Sequence, residues 1–201
     1  MTRKKPCVVL GVTGCIAAYK ACEIVRGLQK RGCRVKVAMT PHATEFVGPA
    51  TFRALTNEPV AVDLFCDPAE PIYHVSLADE ADVLVIAPAT ANVVAKLAHG
   101  IADDLLNTTA LAVSCPIIVA PAMNVNMYEA DITQQNLETL RNRGMRIVDS
   151  EEGYLACGTT GQGRLAEPSV IVDEVMCVID ELGYDLDLAG LHVLITAGPT
   201  V

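Results

Sequence analysis

The sequence predicts an α/β protein whose core is a parallel sheet covered by helices on both faces. The apolar runs CVVLGV (7–12), DVLVIAP (82–88) and PIIVAP (116–121) are continuous, as in strands that are buried on both sides. Helical patterns separate these runs, and strands that alternate with helices along the chain form parallel sheets. The expected architecture is therefore a doubly wound parallel sheet of the Rossmann or flavodoxin-like kind.

The composition fits one well-packed domain of this class. The chain has 201 residues, of which 51% are hydrophobic and 4% aromatic, so aliphatic side chains must fill the core. The net charge of −9 argues against nucleic acid or an anionic membrane as the main partner. No apolar stretch is long enough to span a membrane. The eight cysteines have no C-x-x-C pair and no zinc-ligand spacing, so we expect reduced thiols in a cytoplasmic protein and no metal site.

The N-terminal half is expected to build the first three strands. Gly residues mark the turn after the first strand and the end of the helix that follows it. In chain order we expect a strand at 7–12, a helix with Ile16, Ile24 and Leu28 on one face that closes at Gly32, a strand at 33–39, short helices at 41–47 and 49–56, and a strand at 82–88.

The C-terminal half is expected to continue the same alternation. In chain order we expect helices at 91–98 and 103–114, a strand at 116–121, a helix around 130–142, a strand at 145–148, a loop at 150–167, and a helix near 168–182 with Ile171, Val175, Val178, Ile179 and Leu182 on one face. The last residues, GLHVLITAGPTV, start a further strand and turn, so we expect a domain boundary near 186–190.

The turn after the first strand contains Gly11 and Gly14 but neither G-x-G-x-x-G nor the Gly-Lys-Ser/Thr of a P-loop. Such a turn either allows close packing of a strand and a helix or binds a phosphate, and the pattern alone does not choose between them. The N–H groups of Gly14, Cys15 and Ile16 at the helix start are the candidate phosphate donors.

Polar residues follow three further strands at the edge where such sheets bind ligands. Thr40 follows the second strand, and Thr90 and Asn92 follow a later one, where they either cap a helix or converge on the same phosphate. Asn124 follows the strand at 116–121, where its amide either holds a turn or recognises a carboxylate or amide. Several such turns together favour a bound mononucleotide over capping alone. Nearby methionines, Met127 among them, are expected to fill the core.

His74 and Cys157 are the remaining candidates for chemistry. His74 lies in a loop or at a helix start, where a histidine is more often structural, although its imidazole suits proton transfer near neutral pH. Cys157 lies in the polar loop LACGTTGQGRL (155–165), whereas free cysteines usually pack in apolar cores. This thiol is therefore either idle or a reactive group.

Nearly all of residues 7–182 resembles the homo-oligomeric flavin-containing cysteine decarboxylases, and among them the phosphopantothenoylcysteine decarboxylases. The stretches that carry the likeness are GVTGCIAAYK, IYHVSLADEADVLVIAPATANVVAKLAHGIADDL, PAMNVNMY and LACGTTGQGRL. The tail HVLITAGPTV resembles the start of phosphopantothenate–cysteine ligase, which implies a decarboxylase domain at 1–188 and the start of a ligase domain at 189–201. Two residues depart from the family pattern, since Cys15 stands where the family usually has Ser and Tyr128 where it usually has Trp.

The resemblance implies a set of site residues. The catalytic positions of the family fall on His74, on Asn124 in the P-x-M-N-x-x-M motif, and on Cys157 in the flexible loop that clamps the substrate. The family's FMN contacts map onto Gly14, Cys15, Ile16, Thr40, Thr90, Ala91, Asn92, Val93 and Ala122.

The implied reaction is the FMN-dependent decarboxylation of 4'-phospho-N-pantothenoyl-L-cysteine to 4'-phosphopantetheine in coenzyme A biosynthesis. It would proceed by oxidation of the substrate thiol to a thioaldehyde, loss of CO2 and reduction of the resulting enethiol. The family also implies homotrimers that assemble into homododecamers, and a fused ligase domain in the full-length protein. Three alternatives remain: a peptidyl-cysteine decarboxylase, a flavin prenyltransferase of the same fold, and a non-catalytic flavoprotein that regulates another protein or carries electrons.

Overall fold

A computed structural model of the protein describes residues 5–65, 72–154, 158 and 160–183. The strands in these residues are β1 (Cys7–Val12), β2 (Arg34–Met39), β3 (Val60–Ala61), β4 (Val83–Ala89), β5 (Ile117–Pro121), β6 (Arg146–Ile147), β7 (Glu151–Tyr154) and β8 (Thr160–Arg164). The α-helices are α1 (Ala21–Lys30), α2 (Pro49–Thr56), α3 (Tyr73–Glu80), α4 (Ala91–His99), α5 (Leu105–Ala112), α6 (Val125–Glu129), α7 (Asp131–Asn142) and α8 (Pro168–Glu181). Two short 3-10 helices cover Ile16–Lys20 and Pro41–Glu45.

The first six strands form one parallel sheet in the order β3-β2-β1-β4-β5-β6, which confirms the predicted doubly wound fold. Gly11 in β1 pairs with Ala38 on one side and with Ile86 on the other. Strands are added outward from β1 in one direction and then, from β4, in the other. This reversal opens a crevice beyond the carboxyl ends of β1 and β4, where sheets of this kind bind their ligands.

Two apolar layers hold the helices against the sheet. Val8 and Leu10 of β1 pack in a buried cluster with side chains of α1, α2 and α8. Val9, between them in the sequence, packs on the opposite face with side chains of α3, α4, α5 and α7. Both faces of β1 are therefore fully buried, which explains why its sequence is continuously apolar.

Several sequence predictions at the ends of elements are wrong. The helix expected from Ile16 begins as a 3-10 turn, and α1 starts only at Ala21, so Ile24 and Leu28 are buried whereas Ile16 is 58% exposed. The change of helix type rotates Ile16 away from the buried stripe. Leu182 follows the last residue of α8 and is also exposed, although it was expected on the buried face.

The segment 150–167, expected to be a loop, contains an antiparallel hairpin of β7 and β8. The structure also adds the short strand β3 and the helix α6, which the sequence patterns did not indicate. Two predictions, Cys157 and the start of a ligase domain at 189–201, lie outside the described residues. Among the helices of the described ranges, none has the length and apolarity to cross a bilayer.

Candidate functional site

Hydrogen bonds tie together the turns that follow β1, β2 and β4. The N–H of Thr40 donates to the carbonyl of Val12 over 3.0 Å, which joins the ends of β2 and β1. The hydroxyl of Thr13 donates to the carbonyl of Pro88 over 2.7 Å and accepts from the N–H of Thr90 over 3.0 Å. Three strand ends are thus fixed relative to one another at the crevice.

The same edge continues through β5 to the hairpin. The N–H of Ala122 donates to the carbonyl of Ala89 over 2.9 Å, and the N–H of Met123 donates to the carbonyl of Gly163 over 3.0 Å. A Cβ atom on Gly163 would lie 2.4 Å from the carbonyl oxygen of Met123, so only glycine allows this approach. The hairpin, whose strands flank the segment that contains Cys157, is therefore held against the segment that precedes Asn124.

A cavity of about 530 Å³ lies at this edge of the sheet. Six of the predicted cofactor residues line it, namely Gly14, Thr40, Thr90, Ala91, Asn92 and Val93. Five residues that were not predicted also line it, namely Pro41, His42, Lys96, Asp104 and Met127. The cavity brings together three separate turns, as the positions of the strand ends led us to expect.

Thr40 and the start of α4 give the cavity its hydrogen-bonding groups. Thr40 is 5% exposed, and its hydroxyl oxygen has no hydrogen-bond partner among the described residues. Thr90 is the N-cap of α4, and its hydroxyl accepts a hydrogen bond from the N–H of Val93 over 3.4 Å. Capping was one of the two roles that the sequence indicated for Thr90. The preceding N–H groups, those of Ala91 and Asn92, have no acceptor within the helix. A polar or anionic ligand would satisfy all of these groups.

Lys96 supplies a positive charge on the cavity wall. Its Nζ lies 2.6 Å from Oδ1 of Asp103 and 3.1 Å from Oδ2 of Asp104. Burial works to lower the pKa of Lys96, but the hydrogen bonds and charges of these two carboxylates outweigh it and raise the pKa, so the ammonium stays charged. Asp104 also caps α5 by accepting from the N–H of Asn107 over 2.9 Å, which fixes the lysine between two helices.

The first turn differs from its predicted role as a set of three anion donors. The N–H of Cys15 donates to the carbonyl of Thr13 over 2.9 Å, so this donor is already used within the turn. Burial raises the pKa of the Cys15 thiol, with a smaller opposing effect from the N–H of Ala17, so the thiol is neutral near pH 7. Among the described residues, those lining the cavity include Gly14 but neither Cys15 nor Ile16.

Asn124 and Met127 bracket the first turn of α6. Asn124 is the N-cap of this helix, and its Oδ1 accepts from the N–H of Asn126 over 2.9 Å, which agrees with the reading that the amide holds a turn. Met127 is 48% exposed and lines the cavity, so the expectation that it fills the core is wrong. Asn124 therefore lies one helical turn from the cavity wall, although it is not among the described residues that form it.

His74 lies in the first turn of α3 and is half-buried. Because α3 leads into β4, its N-terminal end points toward the carboxyl edge of the parallel sheet and its C-terminal end toward the amino edge. His74 therefore lies toward the same carboxyl edge of the sheet as the cavity. It is not among the described residues that line the cavity. Ala122 is also outside it, and its N–H is bonded to Ala89.

Sequence patterns missed Thr13, Lys96 and Asp104. Thr13 had a usable signal, because a hydroxyl residue at a strand end directly before a turn is well placed to bond the neighbouring strand end. Lys96 and Asp104 belong to α4 and to the cap of α5, and no local pattern shows that two consecutive helices will bring them together.

Comparison with known proteins assigns the fold to a family. The flavoprotein family model matches residues 1–180. The coenzyme A biosynthesis bifunctional protein CoaBC of Haemophilus influenzae is 46% identical over 194 residues, which cover 96% of this chain and 48% of that protein. The chain spans about half the length of the curated relatives it matches.

Solved structures give the same assignment. A PPC decarboxylase mutant complexed with pantothenoylaminoethenethiol is 30% identical with a TM-score of 0.78, and the match covers 88% of this chain and 100% of that one. The FMN-dependent cysteine decarboxylase SpaF is 35% identical with a TM-score of 0.74, and the match covers 88% of this chain and 98% of that one. This chain belongs to the flavoprotein family.

Proposed function

We propose that the protein decarboxylates 4'-phospho-N-pantothenoyl-L-cysteine to 4'-phosphopantetheine, an FMN-dependent step of coenzyme A biosynthesis. The observation that carries the proposal is that the turns after β1, β2 and β4 line one shared cavity. This cavity lies at the position where a doubly wound sheet binds a nucleotide. The relatives named CoaBC and the structural likeness to PPC decarboxylase support this substrate.

The residues of the cavity fit FMN. The buried hydroxyl of Thr40 has no partner within the described chain, and a phosphate oxygen would provide an acceptor. The first N–H groups of α4, at Ala91 and Asn92, and the turn at Gly14 would surround the rest of the ligand. FMN, when bound, supplies a two-electron acceptor that can return the same electrons. Val93 also lines the cavity. We extend the site to Cys15, Ile16 and Ala122, which remain predictions from the family resemblance.

Asn124 and His74 are the proposed residues for the first half of the reaction. The capping bond from Asn126 fixes the orientation of the Asn124 carboxamide beside the end of β5, where its nitrogen would donate to the substrate carboxylate. His74 would accept the proton of the substrate thiol as the thioaldehyde forms, since an imidazole is suited to proton transfer near neutral pH. Loss of CO2 from the thioaldehyde then leaves an enethiol.

Cys157 is the proposed proton donor when the enethiol is reduced. It belongs to the segment between β7 and β8, and the described hairpin is bonded to the residue that precedes Asn124. We therefore propose, as the family resemblance implies, that the loop containing Cys157 acts as a lid over a substrate held by Asn124.

The wider context is also proposed. The match of the flavoprotein family model to residues 1–180 supports the proposed decarboxylase domain at 1–188. The greater length of the CoaBC relatives supports the proposed ligase domain after it. We propose homotrimers that assemble into homododecamers, which size-exclusion chromatography with light scattering would test. A cytoplasmic location is consistent with the six described cysteines, which are thiols rather than disulfides.

The direct test is turnover of the FMN-loaded protein with 4'-phospho-N-pantothenoyl-L-cysteine. We expect CO2 release and a product with the mass of 4'-phosphopantetheine, and a cysteine-terminated peptide as control substrate should not react. Peptide turnover without turnover of the pantothenoyl substrate would instead establish the peptidyl-cysteine alternative. Binding of FMN without turnover of either substrate would favour a non-catalytic flavoprotein.

Two variants test the assigned roles. Cys157→Ser should still release CO2 but should accumulate the oxidised enethiol, because the donor for the reductive half is lost. His74→Asn should bind FMN and release little CO2. Mass spectrometry of the products separates the two cases, and ordinary product formation by either variant would contradict the role given to that residue.

A further inference from the structure

Thr13 has an unusual position at the end of β1. Its side chain is fully buried, with 0% exposure, and it is not among the described residues that line the cavity. Its hydroxyl makes two hydrogen bonds to the neighbouring strand end, donating to the carbonyl of Pro88 and accepting from the N–H of Thr90. A hydroxyl supplies one donor and accepts through its lone pairs, so both capacities are used here.

The two backbone groups lie where the sheet ladder gives no support. The pairing of β1 with β4 ends at Gly11 and Ile86, and the pairing of β4 with β5 is irregular between Ile86 and Ala89. The Pro88 carbonyl and the Thr90 N–H come after this point and bond to a side chain instead. Buried backbone groups of this kind need partners, so the path of the chain from β4 into α4 depends on Thr13.

We propose that Thr13 is a positioning residue of the flavin site, which holds the first turn of the cavity and the start of α4 in the spacing that FMN requires. The inference rests on the proposed function, because the two parts that Thr13 joins, Gly14 and the segment from Thr90 to Asn92, are those assigned to the cofactor. Thr13 acts through them and makes no contact with the ligand itself.

Two substitutions at this position separate the hydroxyl from the shape of the side chain. Thr13→Val keeps the shape but leaves the Pro88 carbonyl and the Thr90 N–H without their partner, so the two turns can separate. Thr13→Ser keeps both bonds and loses only a methyl group. We expect the dissociation constant for FMN to rise at least about tenfold in Thr13→Val and to change less than about threefold in Thr13→Ser.

Thr109→Val is the matched control for loss of a buried hydroxyl. Thr109 is also 0% exposed, and its hydroxyl donates over 2.8 Å to the carbonyl of Leu105 within α5. That carbonyl keeps its helical partner after the substitution, and Thr109 is not among the described residues of the cavity. We expect Thr109→Val to bind FMN as the wild type does.

The experiment titrates each apoprotein with FMN by flavin fluorescence and records the melting temperature of each apoprotein. If Thr13→Val does not fold, Thr13→Ala takes its place, with weaker FMN binding than Thr13→Ser expected. Wild-type affinity in a folded Thr13→Val, or an equal loss in Thr109→Val, would overturn the inference while leaving the proposed function intact. Failure of the wild type to bind FMN would instead overturn the proposed function, and this inference with it.

Discussion

At the residue scale, two buried threonines at the carboxyl edge of the sheet differ in how their hydroxyls are satisfied. Thr13 makes two hydrogen bonds within the protein, whereas the hydroxyl of Thr40 makes none to any described residue. A buried hydroxyl without a partner destabilises a protein. The hydroxyl of Thr40 is therefore better explained by a bound ligand than by stability.

Thr40→Val should separate these two explanations. Because valine removes a buried hydroxyl that has no partner, we expect the apoprotein to unfold with the same free energy or up to about 1 kcal/mol more. The same change should weaken FMN binding about tenfold, since a hydrogen bond to a charged phosphate is lost. Urea denaturation of the apoprotein and an FMN titration would measure the two effects. A less stable apoprotein with unchanged FMN affinity would contradict this explanation of Thr40.

At the element scale, the hairpin of β7 and β8 depends on two close approaches to the segment around Asn124. Gly163 lies against the carbonyl of Met123, and a Cβ on Gly161 would lie 2.9 Å from a methyl group of Val125. Both glycines have positive φ angles, of 133° and 158° respectively. The hairpin therefore packs against the start of α6 only because both positions lack a side chain.

Gly163→Ala should detach the hairpin without emptying the flavin site. The new methyl group would overlap the Met123 carbonyl and break the hydrogen bond that joins β8 to the end of β5. We expect product formation to fall by more than about tenfold, as for misplaced catalytic groups, while FMN affinity stays near that of the wild type. Steady-state turnover and an FMN titration would measure these effects.

Gly32→Ala is the control for backbone strain alone. Gly32 also has a positive φ, of 90°, but a Cβ there would meet no atom within 4 Å. This variant should lose some stability and retain turnover at saturating substrate. Equal losses of turnover in the two variants would show that strain, rather than contact with Met123, accounts for the result at Gly163.

The same elements show what sequence patterns can predict. The buried strands β1, β4 and β5 were predicted almost to the residue, because burial on both faces requires a continuous apolar run. The hairpin was missed because EEGY (151–154) and TGQGR (160–164) have almost no apolar side chains and no alternation. Its stability comes from contacts with a distant segment, and local patterns carry no information about such contacts.

At the scale of the whole molecule, the location of the candidate site followed from topology. Parallel strands bring their carboxyl ends to one edge, so Gly14, Thr40 and Thr90 were expected to meet, and the structure places all three around one cavity. Lys96 and Asp104 could not be predicted in this way, because their meeting depends on how α4 and α5 pack. The sheet therefore determines where the cavity lies, and helix packing determines its charge.

The opposite, amino-terminal edge of the sheet carries a network of charged side chains. Lys36 of β2 is 5% exposed, and its Nζ lies 2.6 Å from Oε1 of Glu80 at the end of α3. Arg34 donates to the other oxygen of Glu80 over 2.8 Å and to Glu58 over 2.6 Å. A buried ammonium needs such a partner, so this network couples α3 to β2 far from the proposed chemistry.

Acid should weaken this network in a defined pH range. Burial alone would raise the pKa of Glu80, but Lys36 and Arg34 outweigh it and hold the pKa below its usual value of 4.5. A carboxylate with a lowered folded-state pKa stabilises the protein above its unfolded-state pKa, and this contribution is lost as the pH falls through the folded-state value.

Glu80→Gln should therefore be most destabilising near neutral pH. We expect the free energy of unfolding to fall by about 1–2 kcal/mol at pH 7, because Glu80 is partly exposed while Lys36 is buried. The difference from the wild type should shrink as the pH falls below 4.5, where wild-type Glu80 becomes protonated.

Glu129→Gln, at an exposed glutamate on α6, controls for loss of one negative charge and should show neither effect. Urea denaturation across this pH range measures both variants, and a difference at Glu80 that does not depend on pH would mean that its contribution is packing rather than charge.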